Sequence, residues 1–252
     1  MAAEATAAAA NVSWFTVVAS SALTSAAVNV GWNAFSKWLD RRREKAKEKQ
    51  RVGHVKLEIM DQLESFANRC ANYMYEIHEG FDEYYRHEPE AFSRVQHDIP
   101  LKFHPEPQWA ELPVPFVAPL KALVREYSDT GAWIARTGLW ADIPEQYEFE
   151  LERLAFYGLE VLGVAGKIRK EIKAGERGTV QLEGSRKEFN KLIQQRREGY
   201  KKSACDITFI PELEALFERE MPDLKAQQLR ARKAEELLQA EELRSASQKS
   251  GQ

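Results

Sequence analysis

The stretch WFTVVASSALTSAAVNVGWNAFSKW, residues 14–38, decides how the rest of the chain is read. From Ala5 to Ser36 there is no charged side chain. Directly beyond it comes DRRREKAKEKQR, residues 40–51, which is dense in cations. A helix rises about 1.5 Å per residue, so residues 14–35 would extend roughly 33 Å, close to a bilayer core of roughly 30 Å. Trp14 and Phe15 stand at one end, and Trp32, Phe35 and Trp38 at the other, as interfacial aromatic belts do. Ser20, Ser21, Thr24, Ser25 and Asn29 dilute the middle. Hydroxyls can bond back to the helix's own carbonyls, which lowers their cost in lipid. The pattern predicts a single transmembrane helix over 12–38.

Charge sets the expected orientation. Lys37, Arg41, Arg42, Arg43, Lys45, Lys47, Lys49 and Arg51 stand against Asp40, Glu44 and Glu48. Arg41, Arg42 and Arg43 fall where headgroups would lie. The positive-inside tendency then puts the C-terminal bulk in the cytoplasm, with the lipid bilayer as first partner. A secretory signal peptide would need its cations before the apolar run, and here they follow it. An amphipathic helix lying in the membrane plane needs a charged face, which is missing between Trp14 and Ser36. A core helix of a soluble protein stays open as the rival. Ala22, Ala26 and Ala27 suit close helix packing in either setting, including self-association as a homo-oligomer through this first helix.

At 252 residues and a net charge of −3, the chain has room for one or two domains and no overall bias toward nucleic acid. Cys70 and Cys205 imply no disulfide framework. The basic run has a plainer reading as a solvated helix surface, because Asp40–Arg43, Glu44–Lys47 and Glu48–Arg51 are i,i+3 pairs.

Residues 1–11 are an Ala-rich tail, expected to fray. Past the span, 39–88 reads as one basic and then amphipathic helix. Val52, Val55, Ile59, Leu63, Phe66, Cys70, Tyr73, Ile77, Phe81 and Tyr84 recur with a mean spacing of about 3.6, the period of a straight helix packed in a bundle. Seven of the ten prolines fall within 89–119, together with Phe92, Ile99, Leu101, Phe103, Trp109 and Phe116. That density predicts an ordered, extended crossing segment over the bundle. A helix is expected from Pro119, ended or bent at Ser128–Gly131. The next begins at Pro144 and carries Tyr147, Leu151, Leu154, Val161, Ala165, Ile168 and Ile172 in phase. A more polar helix follows, with Leu182, Phe189, Leu192 and Ile193 inward. CDITFI, residues 205–210, reads as a short β-like connector. A last, highly charged helix runs to about Leu243 with a thin leucine stripe, ahead of a disordered tail over 244–252. The fold class is all-α: a long N-terminal helix leading into an antiparallel bundle over 120–243.

No motif carries chemistry. His78-Glu-Gly-Phe-Asp82 is one residue short of the zinc signature HExxH. His78 and Asp82 would share a helix face with Glu79 beside them, but a third ligand is missing and Asp replaces the second His. The plainer reading is a solvated strip. None of the histidines has a Glu three residues before it, so a di-iron bundle is excluded. Gly163–Lys167 lacks the first glycine and the hydroxyl of a phosphate loop, with Val161 and Ile168 in their places. Tyr73, Tyr75, Tyr84 and Tyr85 lie among Glu76, Glu79, Asp82 and Glu83, which would repel nucleic acid. The sequence therefore predicts no catalytic residue, no metal and no cofactor. It predicts a membrane-anchored helical scaffold or interaction protein, with an unidentified protein partner at the charged C-terminal helix. The alternative is an enzyme with a pocket formed within 76–109.

Overall fold

The computed structural model describes residues 14–88, 91–95, 98–138, 141–175 and 179–250. All regular structure among them is helical, and several helices pack together. The chain divides into two compact units, Met1–Val52 and Gly53–Gln252. Helix α1, Trp14–Tyr85, contributes to both.

In the first unit the described side chains of α1 are mostly exposed. Among its described side chains from 32 to 51, only Ser36 and Leu39 are even half-buried. Among the described residues no helix is long and apolar enough to cross a membrane. The span expected over 12–38 is therefore not supported. The physical reason lies in its middle, where Ser20, Ser21, Thr24, Ser25 and Asn29 take up positions that a spanning helix fills with large apolar groups. The side chains of Trp14 and Phe15 lie outside the described residues, as does the tail expected over 1–11.

The second unit is a helical bundle. The stripe on α1 is buried from Val55 through Phe81, while Tyr84 stays exposed. Beyond α1, the chain runs through an irregular segment that carries His87 and Phe92 with positive φ. Residues 98–108 hold no regular helix. Side chains of the bundle fasten this segment. The Tyr127 hydroxyl donates to Ile99 O at 2.7 Å, and Gln62 grips the His104 N–H at 2.7 Å and Pro105 O at 3.1 Å. The extended crossing expected over 89–119 is shorter than the prolines suggested. After a single 3-10 turn at Trp109–Glu111, helix α2 already begins at Val114 and runs to Thr137. Pro113 serves as its N-cap and Pro115 sits in the first turn, where a missing N–H costs nothing. Pro119 lies inside the helix, which also runs straight through Ser128–Gly131.

Helix α3, Ile143–Ile172, is capped by the Asp142 carboxylate on the Glu145 N–H at 2.9 Å, and ends on Lys173 in the left-handed region. Helices α4 (Thr179–Ser203), α5 (Pro211–Glu220) and α6 (Leu224–Ser250) follow. The run 205–210 connects α4 to α5 without forming a strand. α3 packs against α2, α4 and α5. Its side chains from Phe149 to Ala155 are buried all the way round. At Gly158 an added Cβ would lie 2.6 Å from the Phe189 ring, so this glycine sets the approach of α4. Arg169 reaches α1, its Nη2 donating to both carboxylate oxygens of Glu64, at 2.6 and 2.8 Å. Tyr200, Phe209 and Phe217 close the far end as an aromatic cluster.

Candidate functional site

A helix buried on every side must bury whatever lies in its middle. In α3 the fully buried stretch Phe149–Ala155 contains Glu150-Leu-Glu-Arg153. Buried charge is tolerated only when paired. Arg153 Nη2 reaches Glu150 at 2.7 Å and Asp98 at 2.9 Å, while its guanidinium lies 4.3 Å over the Tyr127 ring. Its Nη1 donates to Tyr127 O at 3.4 Å, and its Nε has no hydrogen-bond partner among the described residues. Burial works to discharge Arg153, but Glu150, Tyr127 and Asp98 outweigh it and hold the cation firmly charged. Burial pushes the Glu150 carboxyl above its ordinary value against the pull of Arg153. The same burial raises the Tyr73 and Tyr127 hydroxyls, so both stay protonated. Gly131 makes room for the guanidinium, because a Cβ there would collide with Arg153 Nη1.

This cluster forms part of the lining of a cavity of about 850 Å³ between α1, α2, α3 and the 98–102 segment. Tyr73, Leu101, Val124, Ile134 and Tyr147 contribute to its apolar wall, with Lys102, Ser128 and Gln146 as further polar members. A volume of this size, mainly apolar with a few convergent polar groups, is what small-molecule sites look like. On the other flank of α3, Glu152 accepts from the Ile210 N–H at 3.0 Å and pairs with Arg196 Nε at 2.9 Å. Thr130, Tyr157 and Glu212 form a third buried polar group, with Tyr157 donating to Glu212 at 3.0 Å.

The sequence reading missed Glu150, Glu152 and Arg153. A signal was there for one of them. Glu150 sits three residues after Tyr147 and one before Leu151, inside the apolar phase of α3 rather than opposite it.

The zinc near-motif fares differently. His78, Glu79 and Asp82 are all exposed on α1, beside a smaller cavity of about 320 Å³. His78 Nδ1 donates to Met74 O at 2.6 Å, and Glu79 accepts from the Tyr75 hydroxyl. No group of three metal-ligating side chains occurs among the described residues.

The aromatic and basic residues of α1 come together on one face. Trp32, Phe35, Trp38, Arg42, Lys45 and Lys49 recur at steps of three and four and so share a stripe. The rings of Trp32 and Phe35 lie 6.2 Å apart and those of Phe35 and Trp38 5.9 Å apart, with the Arg42 guanidinium 4.6 Å over Trp38. Trp32 is 67% exposed, and Phe35 and Trp38 are each 49% exposed. Arg41 and Arg43 flank this stripe and are also exposed. The chain matches no family model, no curated protein and no solved structure.

Proposed function

We propose that this protein is a non-catalytic helical scaffold, tethered to an anionic lipid surface by the aromatic and basic stripe of α1. The observation that carries the reading is the exposed row Trp32–Phe35–Trp38, continued on the same face by Arg42, Lys45 and Lys49. Indole and phenyl rings favour the headgroup level, and each cation near an anionic surface adds about 1 kcal/mol. The helix would lie along the surface rather than cross it, since no helix among the described residues is long and apolar enough to span. The excess of cations suits the cytoplasmic leaflet, where anionic lipid is concentrated.

The far part of α6 is the proposed docking element for a protein partner. Leu237 and Leu238 are largely exposed there amid dense charge. The start of α6 belongs to the bundle. Gln228 bonds the Ala204 N–H and Lys201 O, Lys225 pairs with Glu214, and Arg232 pairs with Asp206. Removing 233–252 should leave the fold intact and abolish partner binding, whereas removing 223–252 should destabilise the bundle.

The direct test is co-sedimentation of the full chain with vesicles containing phosphatidylserine and with vesicles of phosphatidylcholine alone. Binding to the first, lost in the triple variant Trp32→Ser, Phe35→Ser, Trp38→Ser and weakened by salt, is the expected result. A chain that stays in the supernatant with both vesicles would end the lipid-tether reading.

A further inference from the structure

We propose that the cavity between α1, α2 and α3 is a binding site for a small amphiphilic amine, with an apolar body and an ammonium head placed at Glu150 and Asp98. The volume of about 850 Å³ lies within the range of pockets that enclose drug-sized molecules. The wall supplies apolar contact from Leu101, Val124 and Ile134 and tyrosine rings from Tyr73 and Tyr147.

Charge in the cavity wall selects the head group. One guanidinium, Arg153, faces two carboxylates, and a single nitrogen of it serves both. The arginine side chain is 5% exposed and Glu150 is 9% exposed, whereas Asp98 is 62% exposed, so the buried pair is neutral in sum and the extra negative charge stands at the solvent side of the cluster. A ligand carboxylate entering here would meet two carboxylates and a guanidinium already engaged by both. An ammonium would meet acceptor oxygens left over after Arg153 has donated, since an ionised carboxylate offers about four acceptor positions. Tyrosine faces attract a cation as well. Lys102 is exposed and remains in water.

The site is built rather than incidental. Gly131 leaves the space that the guanidinium occupies, the Tyr127 hydroxyl fixes the 98–102 wall through Ile99 O, and both carboxylates hold Arg153 in place. The cavity has no role in tethering to lipid, so it stands apart from the function proposed above.

Isothermal titration of the full chain with phenethylamine and with 3-phenylpropionate compares two probes of similar size and opposite charge. The amine is expected to bind at least about tenfold more tightly than the acid. Ala135→Trp, at an exposed position of the lining, fills the mouth without touching the charged cluster and should weaken the amine by about tenfold or more. Glu150→Gln should erase the preference for amine over acid, with helicity checked by circular dichroism. Binding of the acid as tight as that of the amine, no heat from either probe, or amine binding unchanged in Ala135→Trp would each overturn the proposal. Because Ala135 lies outside the buried ion pairs, that variant decides the matter even if Glu150→Gln fails to fold.

Discussion

Two stretches of α1 have similar helical phase and opposite fates. From Val55 to Phe81 the stripe is buried to within a few per cent, with Phe66 edge-on to Tyr127 at 5.2 Å. From Trp32 to Lys49 a stripe likewise built on steps of three and four lies open to solvent, its aromatic rings touching one another. Periodicity makes both stretches helical, but it does not say what covers them. Burial comes from what the rest of the chain brings alongside, and cations in place of Leu and Ile mark the stretch that stays open.

The comparison can be broken by mutation at either end of the helix. Phe66→Ala should cost about 3–5 kcal/mol in urea unfolding, as for other fully buried aromatic groups. A cost below about 1 kcal/mol would mean that the second stretch is no more committed to the core than the first. Gly158→Ala should cost about 1–3 kcal/mol, because its methyl group must displace the Phe189 ring and with it α4. An unchanged midpoint would show that α3 and α4 have slack between them.

The charged middle of α3 sharpens the contrast by pH. Burial lifts the Glu152 carboxyl from 4.5 to about 7, against the pull of Arg196 and the Ile210 N–H. The folded state thus holds this proton more tightly than the unfolded chain. Its contribution is complete below about pH 4.5 and fades as the pH rises through about 7. Unfolding midpoints should therefore fall across that window, and Glu152→Gln should flatten the slope. An identical slope in the variant would assign the effect to another group. The smallest effect belongs to the open stripe: Trp38→Ser should shift stability by less than about 0.5 kcal/mol, since its side chain is exposed. A larger loss would show that the first stretch is structural after all.

Much of the architecture was legible beforehand. The buried positions of α1 from Val55 to Phe81, those of α3 from Leu151 to Ile168, and Leu182, Phe189, Leu192 and Ile193 on α4 all follow helical spacing. The glycines of α3 did not separate by spacing: all three invite close approach by a neighbouring helix, yet only Gly158 meets one, while a Cβ at Gly163 or Gly166 would meet nothing within 4 Å. The prolines misled. A run of them suggested an extended crossing as far as 119, yet proline is at home in the first turn of a helix, and α2 begins among them. The apolar stretch 14–38 misled for a related reason. Length and aromatic ends were right for a span, while summed hydropathy fell short.

By itself the sequence determined that this chain is helical, where most of its helices lie and which faces of them turn inward. Those features depend on local spacing, capping and the chemistry of neighbouring residues. Only the tertiary structure decided that α3 is surrounded by partners, that Glu150, Glu152 and Arg153 are therefore enclosed, and that Asp98 arrives from a distant segment to share Arg153. A buried charge is defined by what packs around it, and here the partners come from residues that are remote in the chain.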